Sequence, residues 1–142
     1  MSEASIVFKI LGVDQDLKRS LPPLIAQVRE GLPPRAAKRI AEYFGLTQQQ
    51  VAALMGVSPR TLERHQKDNK LLSSVQSDRL LRYARMAARA EQVFEDEQVA
   101  KNWLKRPNQA LGGETPLSLL DTETGVEQVN QVLTRIEYGI YS

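Results

Sequence analysis

Residues 46–64 read LTQQQVAALMGVSPRTLER, and this stretch has the grammar of two short helices joined by a sharp turn. Thr47 is a good N-cap and Gln50 stands three residues later, so the first helix opens with a capping box that satisfies orphan N–H groups. Val51, Ala52, Leu54 and Met55 supply its apolar face. Gly56 then stops it, because glycine enters the left-handed conformation of a helix-ending turn without steric penalty, and Val57 plugs the corner. Ser58 and Pro59 form a cap and first-turn pair, so the second helix starts near Pro59.

Small Ala52, the Gly56 turn and apolar Leu62 have the spacing that lets two helices meet steeply through a short connection. Arg60, Thr61 and Arg64, with His65 beside them, are left pointing outward. A polar, cationic helix face fits a DNA major groove. An ordinary helical hairpin with solvated charges is the competing reading. The coincidence of small residue, glycine and apolar positions with a Thr-capped start and a Ser-Pro restart weighs toward DNA. The candidate DNA-binding set is Thr47, Gln48, Ser58, Arg60, Thr61, Arg64, Lys67 and Lys70. The two lysines follow in a polar turn, placed to touch phosphates, which position a protein without reading sequence.

Outward from this stretch, 142 residues allow one domain of usual size or two small ones. The chain has no cysteine, which excludes disulfides, thiolate catalysis and cysteine zinc sites and fits a reducing compartment. A single histidine, His65, offers no metal-ligand set, and no cofactor is expected. No apolar run approaches the roughly 20 residues needed to cross a bilayer, and the start MSEASIVFKILG lacks a basic region ahead of its apolar segment. These features point to a soluble cytoplasmic protein with no membrane partner. Charge is unevenly distributed: residues 35–90 hold 11 Lys/Arg against 4 Asp/Glu, residues 91–142 hold 4 against 9, and the first 34 balance at 4 against 4. A basic middle suits polyanions, and an acidic end suits a different, cationic surface.

IVFKIL at 6–11 is too short to settle a period and reads as a short strand or an arm that packs on a partner. Ser20 and Pro22-Pro23 open a helix carrying Leu24, Ile25 and Val28 to Gly31. Pro33-Pro34 start another, with Ala36, Ala37, Ile40, Ala41 and Phe44 inward and Gly45 as its stop. Ser73 and Gln76 make a second capping box for a long helix bearing Val75, Leu80, Leu81, Ala84, Ala87, Ala88 and Phe94. Arg79, Arg82, Arg85 and Arg89 recur along it on one broad flank, read equally as a solvated surface or a DNA contact. Asp96 caps a short helix with Val99, Ala100, Trp103 and Leu104 on one face, terminated by Pro107, and Trp103 is assigned to the core. Asn108 and Gly112-Gly113 make a tight connection that no Lys-Ser or Lys-Thr follows, which rejects a phosphate loop. Thr115-Pro116 starts a short helix through Leu117, Leu119 and Leu120. Thr124 or Asp121 caps the last helix, striped by Val126, Val129, Val132, Leu133 and Ile136 and ended by Gly139. Ile140, Tyr141 and Ser142 follow, an aromatic tail with a terminal carboxylate that reads as a docking segment.

From about residue 45 onward the chain resembles the Xre antitoxins of RES–Xre toxin–antitoxin modules, related to the MbcA and ParS antitoxins. The resemblance rests on GVSPRTLERH, SSVQSDRLLRYARMAARAEQVF, AKNWLKRPNQALGG and TPLSLLDTETGVEQVNQVLTRIEYGIY in that order. It covers roughly two thirds of the chain, and the pattern WL..PN..LGG..P..LL.T..G following such a helix-turn-helix is its specific part. Simple Xre-like repressors often have tryptophan where this chain has His65. The departure favours the antitoxin branch and makes His65 a packing or phosphate residue rather than a catalytic one.

The resemblance implies an all-α protein: a helix-turn-helix DNA-binding domain followed by a small helical toxin-binding domain. On that basis residues 1–33 form an N-terminal arm and helix that are a candidate for dimerisation, 34–72 the helix-turn-helix region and 73–142 the toxin-binding domain. It further implies an antitoxin that represses its own operon and neutralises a cognate RES-type, NAD-degrading toxin by occluding its active site with the C-terminal end. The toxin-binding set is then Glu137, Tyr138, Gly139, Ile140, Tyr141 and Ser142. A pocket for a pyrophosphate dinucleotide is cationic, so an acidic end is a fitting plug. The alternative is a plain helix-turn-helix repressor whose C-terminal half only dimerises. An enzyme is disfavoured, because no carboxylate pair, nucleophile–base constellation or metal set is present. One recognition helix covers few base pairs, so double-stranded operator DNA calls for a homodimer, with the first 30 residues and the last helix both candidate interfaces.

Overall fold

The computed structural model describes residues 2–13 and 21–139, with side chains from residue 24 in the second segment. Within these the chain is all-α: α1 (Glu3–Leu11), α2 (Leu21–Glu30), α3 (Arg35–Phe44), α4 (Gln48–Met55), α5 (Pro59–Lys67), α6 (Ser74–Phe94), α7 (Glu97–Leu104) and α8 (Glu123–Glu137). Two compact units divide it, Met1–Ala84 and Arg85–Ser142.

In the first unit the expected strand or arm at 6–11 is instead a helix, α1, packed against α2 and α3 of its own unit. Ser2 caps it by accepting from the Ser5 N–H at 3.1 Å. Ala4, Ile6, Val7, Phe8, Ile10 and Leu11 are all buried, so apolar residues surround most of the helix and no single stripe betrayed its period. Two arginines of α3 secure its end. Arg35 donates Nε–H to the Gly12 carbonyl at 3.1 Å and Arg39 an Nη2–H to the Lys9 carbonyl at 3.0 Å. Orphan carbonyls at a helix C-terminus are thereby satisfied by cations that also oppose the helix dipole. On the other face of α3, Ala36, Ala37, Ile40 and Phe44 are buried, while Ala41 is only half-buried.

The junction between α2 and α3 is stitched to the segment ahead of α6 and to the first turn of α6 itself. Leu32 donates its N–H to the Ser77 hydroxyl at 2.8 Å and accepts the Leu72 N–H on its carbonyl at 2.9 Å. Gly31, at φ +110°, lies so close to the Leu72 carbonyl that a Cβ there would collide with it. Ser77 is the buried polar side chain among the described residues. At the start of α6, Ser73 and Gln76 exchange side-chain-to-backbone bonds as their spacing predicts. Val75 departs from expectation: it lies 64 % exposed, four residues after exposed Leu71, while Leu80, Leu81, Tyr83 and Ala84 turn inward. Tyr83 meets Phe44 edge-on at 6.4 Å.

In the second unit Asp96 caps α7, accepting from the Val99 N–H at 2.9 Å. Ala100 and Leu104 are buried, Trp103 is half-buried with its ring 5.6 Å from Phe94, and Val99 is exposed. The helix closes at Leu104, ahead of Pro107. Asn108 organises the following loop: its side chain accepts from Ala110 N–H, its carbonyl accepts from Gly113 N–H and its own N–H reaches the Glu114 carbonyl. After Pro116 there is only a single 3-10 turn, Leu117–Leu119. Neither Thr124 nor Asp121 caps α8. Thr122 does, because its extended backbone carries its hydroxyl to the Gly125 N–H at 3.0 Å. Gly125 lies against the Leu119 carbonyl so closely that no side chain fits. Val129, Val132 and Leu133 form the buried stripe, with Val126 and Ile136 half-buried beside it.

Replacing Ser77 by alanine leaves the Leu32 N–H buried without its partner, which costs about 1–3 kcal/mol. Urea unfolding of the S77A chain should show that loss as a lower midpoint with an unchanged slope.

Candidate DNA-facing helices and C-terminal contact site

Helices α4 and α5 form the expected pair. Thr47 Oγ1 accepts from Gln50 N–H at 3.1 Å while Gln50 Oε1 accepts from Thr47 N–H at 2.8 Å, closing the capping box. Gly56 takes φ +77° at the end of α4, and Val57 N–H returns to the Ala52 carbonyl at 3.0 Å. Ser58 then caps α5, accepting from Thr61 N–H at 3.1 Å, with the two hydroxyls 2.9 Å apart. Leu62 is the buried anchor of α5.

Arg60, Arg64 and Lys67 project from α5 into solvent, and Lys70 is exposed in the loop beyond it. His65 is half-buried and closes that loop. Its carbonyl accepts the Lys70 N–H at 2.9 Å, and its Nδ1 lies 3.4 Å from the Lys70 carbonyl. Ser58, Arg60 and Thr61 thus gather at the amino end of α5. Gln48, the first residue of α4, instead donates from Nε2 to Gln66 Oε1 near the far end of α5, at 2.7 Å. Gln66 had no signal in the sequence, since its role depends on a partner 18 positions away.

The expected basic flank of α6 is not a uniform surface. The Arg79 guanidinium lies over Gly56 at the helix-turn-helix corner, where a Cβ on residue 56 would overlap it. Arg89 turns to α8: its Nη1 donates to Glu137 Oε2 at 3.0 Å, and its Nη2 to Glu137 Oε1 at 3.1 Å and to Thr134 Oγ1 at 3.3 Å. A fork of this kind is the strongest way a cation grips a carboxylate. The hydrogen bonds from Arg89, aided by attraction to the same charge and opposed by desolvation, hold the Glu137 carboxyl below its ordinary value. Beyond it Tyr138 is 73 % exposed and Gly139 turns at φ +72°. Ile140, Tyr141 and Ser142 lie outside the described residues. Among the described residues no cluster of His, Asp or Glu could hold a metal ion, and no helix is long and apolar enough to cross a membrane.

Residues 23–85 match the model of the antitoxin Xre-like helix-turn-helix domain, and residues 89–139 that of the antitoxin Xre/MbcA/ParS C-terminal toxin-binding domain. An antitoxin Xre from Photorhabdus laumondii is 33 % identical over 122 residues, 85 % of this chain and 82 % of its own length. The chain belongs to the Xre antitoxin family. An antitoxin Xre from Pseudomonas putida is 39 % identical over 80 residues, covering 56 % of this chain and half of the relative. A protein named Prs ADP-ribosylating antitoxin, from a Sphingobium species, is 25 % identical over 83 % of this chain and 80 % of its own length. As an Xre-family antitoxin the protein has a helix-turn-helix domain and a toxin-binding domain, and it is a binding protein rather than an enzyme. The Arg89–Glu137 fork falls inside the toxin-binding domain, at the last turn of α8.

Because the folded Glu137 carboxyl titrates below its ordinary value, its ion pair is fully formed above that ordinary value. It is lost as pH falls through the depressed folded value. Carboxyl-detected NMR should place the Glu137 midpoint below an ordinary glutamate and show it rising in Arg89→Gln.

Proposed function

We propose that this antitoxin neutralises a RES-type toxin that degrades NAD, covering the toxin's active site with Glu137, Tyr138, Gly139, Ile140, Tyr141 and Ser142. In the same proposal it represses its own operon by gripping a two-fold operator as a homodimer. The observation that carries the first half is the fork at the end of α8: Arg89 and Thr134 fix Glu137, and the next side chain, Tyr138, stands out in solvent. A fixed anchor followed by an exposed aromatic is the form of an interface hot spot, where rigid aromatic residues concentrate binding energy. The excess of Asp and Glu from residue 91 onward complements the cationic pocket that a dinucleotide requires. One relative's name ties it to ADP-ribosylation, a reaction that draws ADP-ribose from NAD.

The second half rests on α5. Arg60 and Arg64 are exposed on a helix whose amino end is capped and whose inner side is anchored by Leu62. In this reading Arg60, Thr61 and Arg64 meet base edges, while Thr47, Gln48, Ser58, Lys67 and Lys70 meet the phosphate backbone. A second copy doubles the contacts at a spacing of one helical turn.

Co-expression with the product of the neighbouring reading frame should rescue growth, and deleting residues 139–142 should weaken the rescue while DNA binding stays intact. Full protection by the truncated chain would remove the occluding role of this segment. On DNA, Arg60→Ala or Arg64→Ala should cost about 1–3 kcal/mol of operator affinity and relax base preference, whereas Lys67→Ala weakens specific and random duplexes alike. Anisotropy titrations on both duplexes separate the two patterns.

A further inference from the structure

Gly56 ends α4 and Ser58 begins α5, so residues 56–58 are the corner that sets the angle between the two helices. The left-handed φ of +77° already favours glycine there. A second feature lies at the same position: Arg79, carried by α6 and exposed, lays its guanidinium over Gly56, with Nη1 and then Cζ nearest to where a Cβ would be. The contact joins residues 23 positions apart, and it brings a permanent cation to the carboxyl end of α4, where the backbone dipoles concentrate negative charge. At the open end of the pair, Gln48 and Gln66 are joined at 2.7 Å. The two helices thus have an amide pair joining them at the mouth and a planar cation packed over the Gly56 corner.

We infer that Arg79 is a positioning residue for DNA reading, which holds the α4–α5 corner and so fixes how α5 presents Arg60 and Arg64. The inference rests on the proposed DNA-binding role. It assigns to one arginine of the α6 flank a task distinct from a phosphate contact. A phosphate contact adds affinity for any duplex and steepens its salt dependence. A positioning residue adds affinity only where base edges must be met in register.

The test uses the full-length chain, the duplex immediately upstream of its own reading frame, and a random duplex of equal length. Arg79→Ala should weaken upstream-duplex binding about tenfold, the size of one mismatched base contact, and leave random-duplex binding and the salt slope as in the parent. Arg79→Lys, which keeps the charge but lacks the flat fork, should fail to restore it. Circular dichroism melts of both variants should match the parent, and hydrogen exchange should show faster opening of the amides at 56–61 in Arg79→Ala. Equal losses on both duplexes with a shallower salt slope would overturn the assignment in favour of a phosphate contact. Unchanged binding in Arg79→Ala, with a parent that binds, would overturn the assignment and leave the DNA reading standing. A parent that binds neither duplex would overturn the DNA reading and the assignment with it.

Discussion

Leu32 uses both of its backbone groups on distant partners, its N–H on buried Ser77 and its carbonyl on Leu72. In an interior closed to water these bonds have no substitute, because each group left unpaired carries its full desolvation penalty. Their effect is topological. Everything between Leu32 and Leu72, which is α3, α4 and α5, becomes a segment closed at its base, and α6 starts from the same knot. Gly31 allows the close approach, since the Leu72 carbonyl occupies the space a side chain would need. The corner at Gly56 and the cap at Ser58 refine the angle of α5, but the knot at Leu32 gives them a fixed base to act from.

Local chemistry was legible in the sequence, and long-range chemistry was not. Thr47 with Gln50, Ser58 before Pro59, Ser73 with Gln76 and Asp96 before α7 all cap as their spacing predicts, because an N-cap depends on residues within one turn. The misread cap of α8 shows the limit of that logic. Asp121, Thr122 and Thr124 are equivalent as residue types, and only the extended backbone at Thr122 selects among them. Helix α1 escaped notice for the opposite reason: its apolar residues cover nearly every side, and a period is invisible in a helix that is buried all round. Ser77 and Gln66 had no signal, and for Arg79 and Arg89 a basic flank was legible but not the partners, since each acts on a residue far along the chain.

The same limit applies to charge. The excess of Lys and Arg in residues 35–90 looks like a single polyanion-binding surface. In the folded chain Arg35 and Arg39 close the end of α1 and Arg89 grips Glu137, so part of that excess is spoken for internally. Arg60, Arg64, Lys67 and Lys70 are exposed together at α5 and its loop, which places four of the remaining cations where a duplex would meet them. The charge available to a polyanion is thus less than the count implies, because the Arg89 charge is met by Glu137.

The fork between Arg89 and Glu137 also bears on the timing of entropy loss. A frayed helix end would have to be ordered at the moment a partner arrived, and that loss would count against affinity. Here the last turn of α8 is ordered when the unit folds, through two guanidinium bonds to Glu137 and a third to Thr134. For the proposed toxin contact, the ordering cost then falls on folding rather than on association, and the residues that follow start from a fixed point. Such preorganisation acts mainly on how long a complex lasts. Residence time is the quantity that matters for a protein whose task is to keep another one silent.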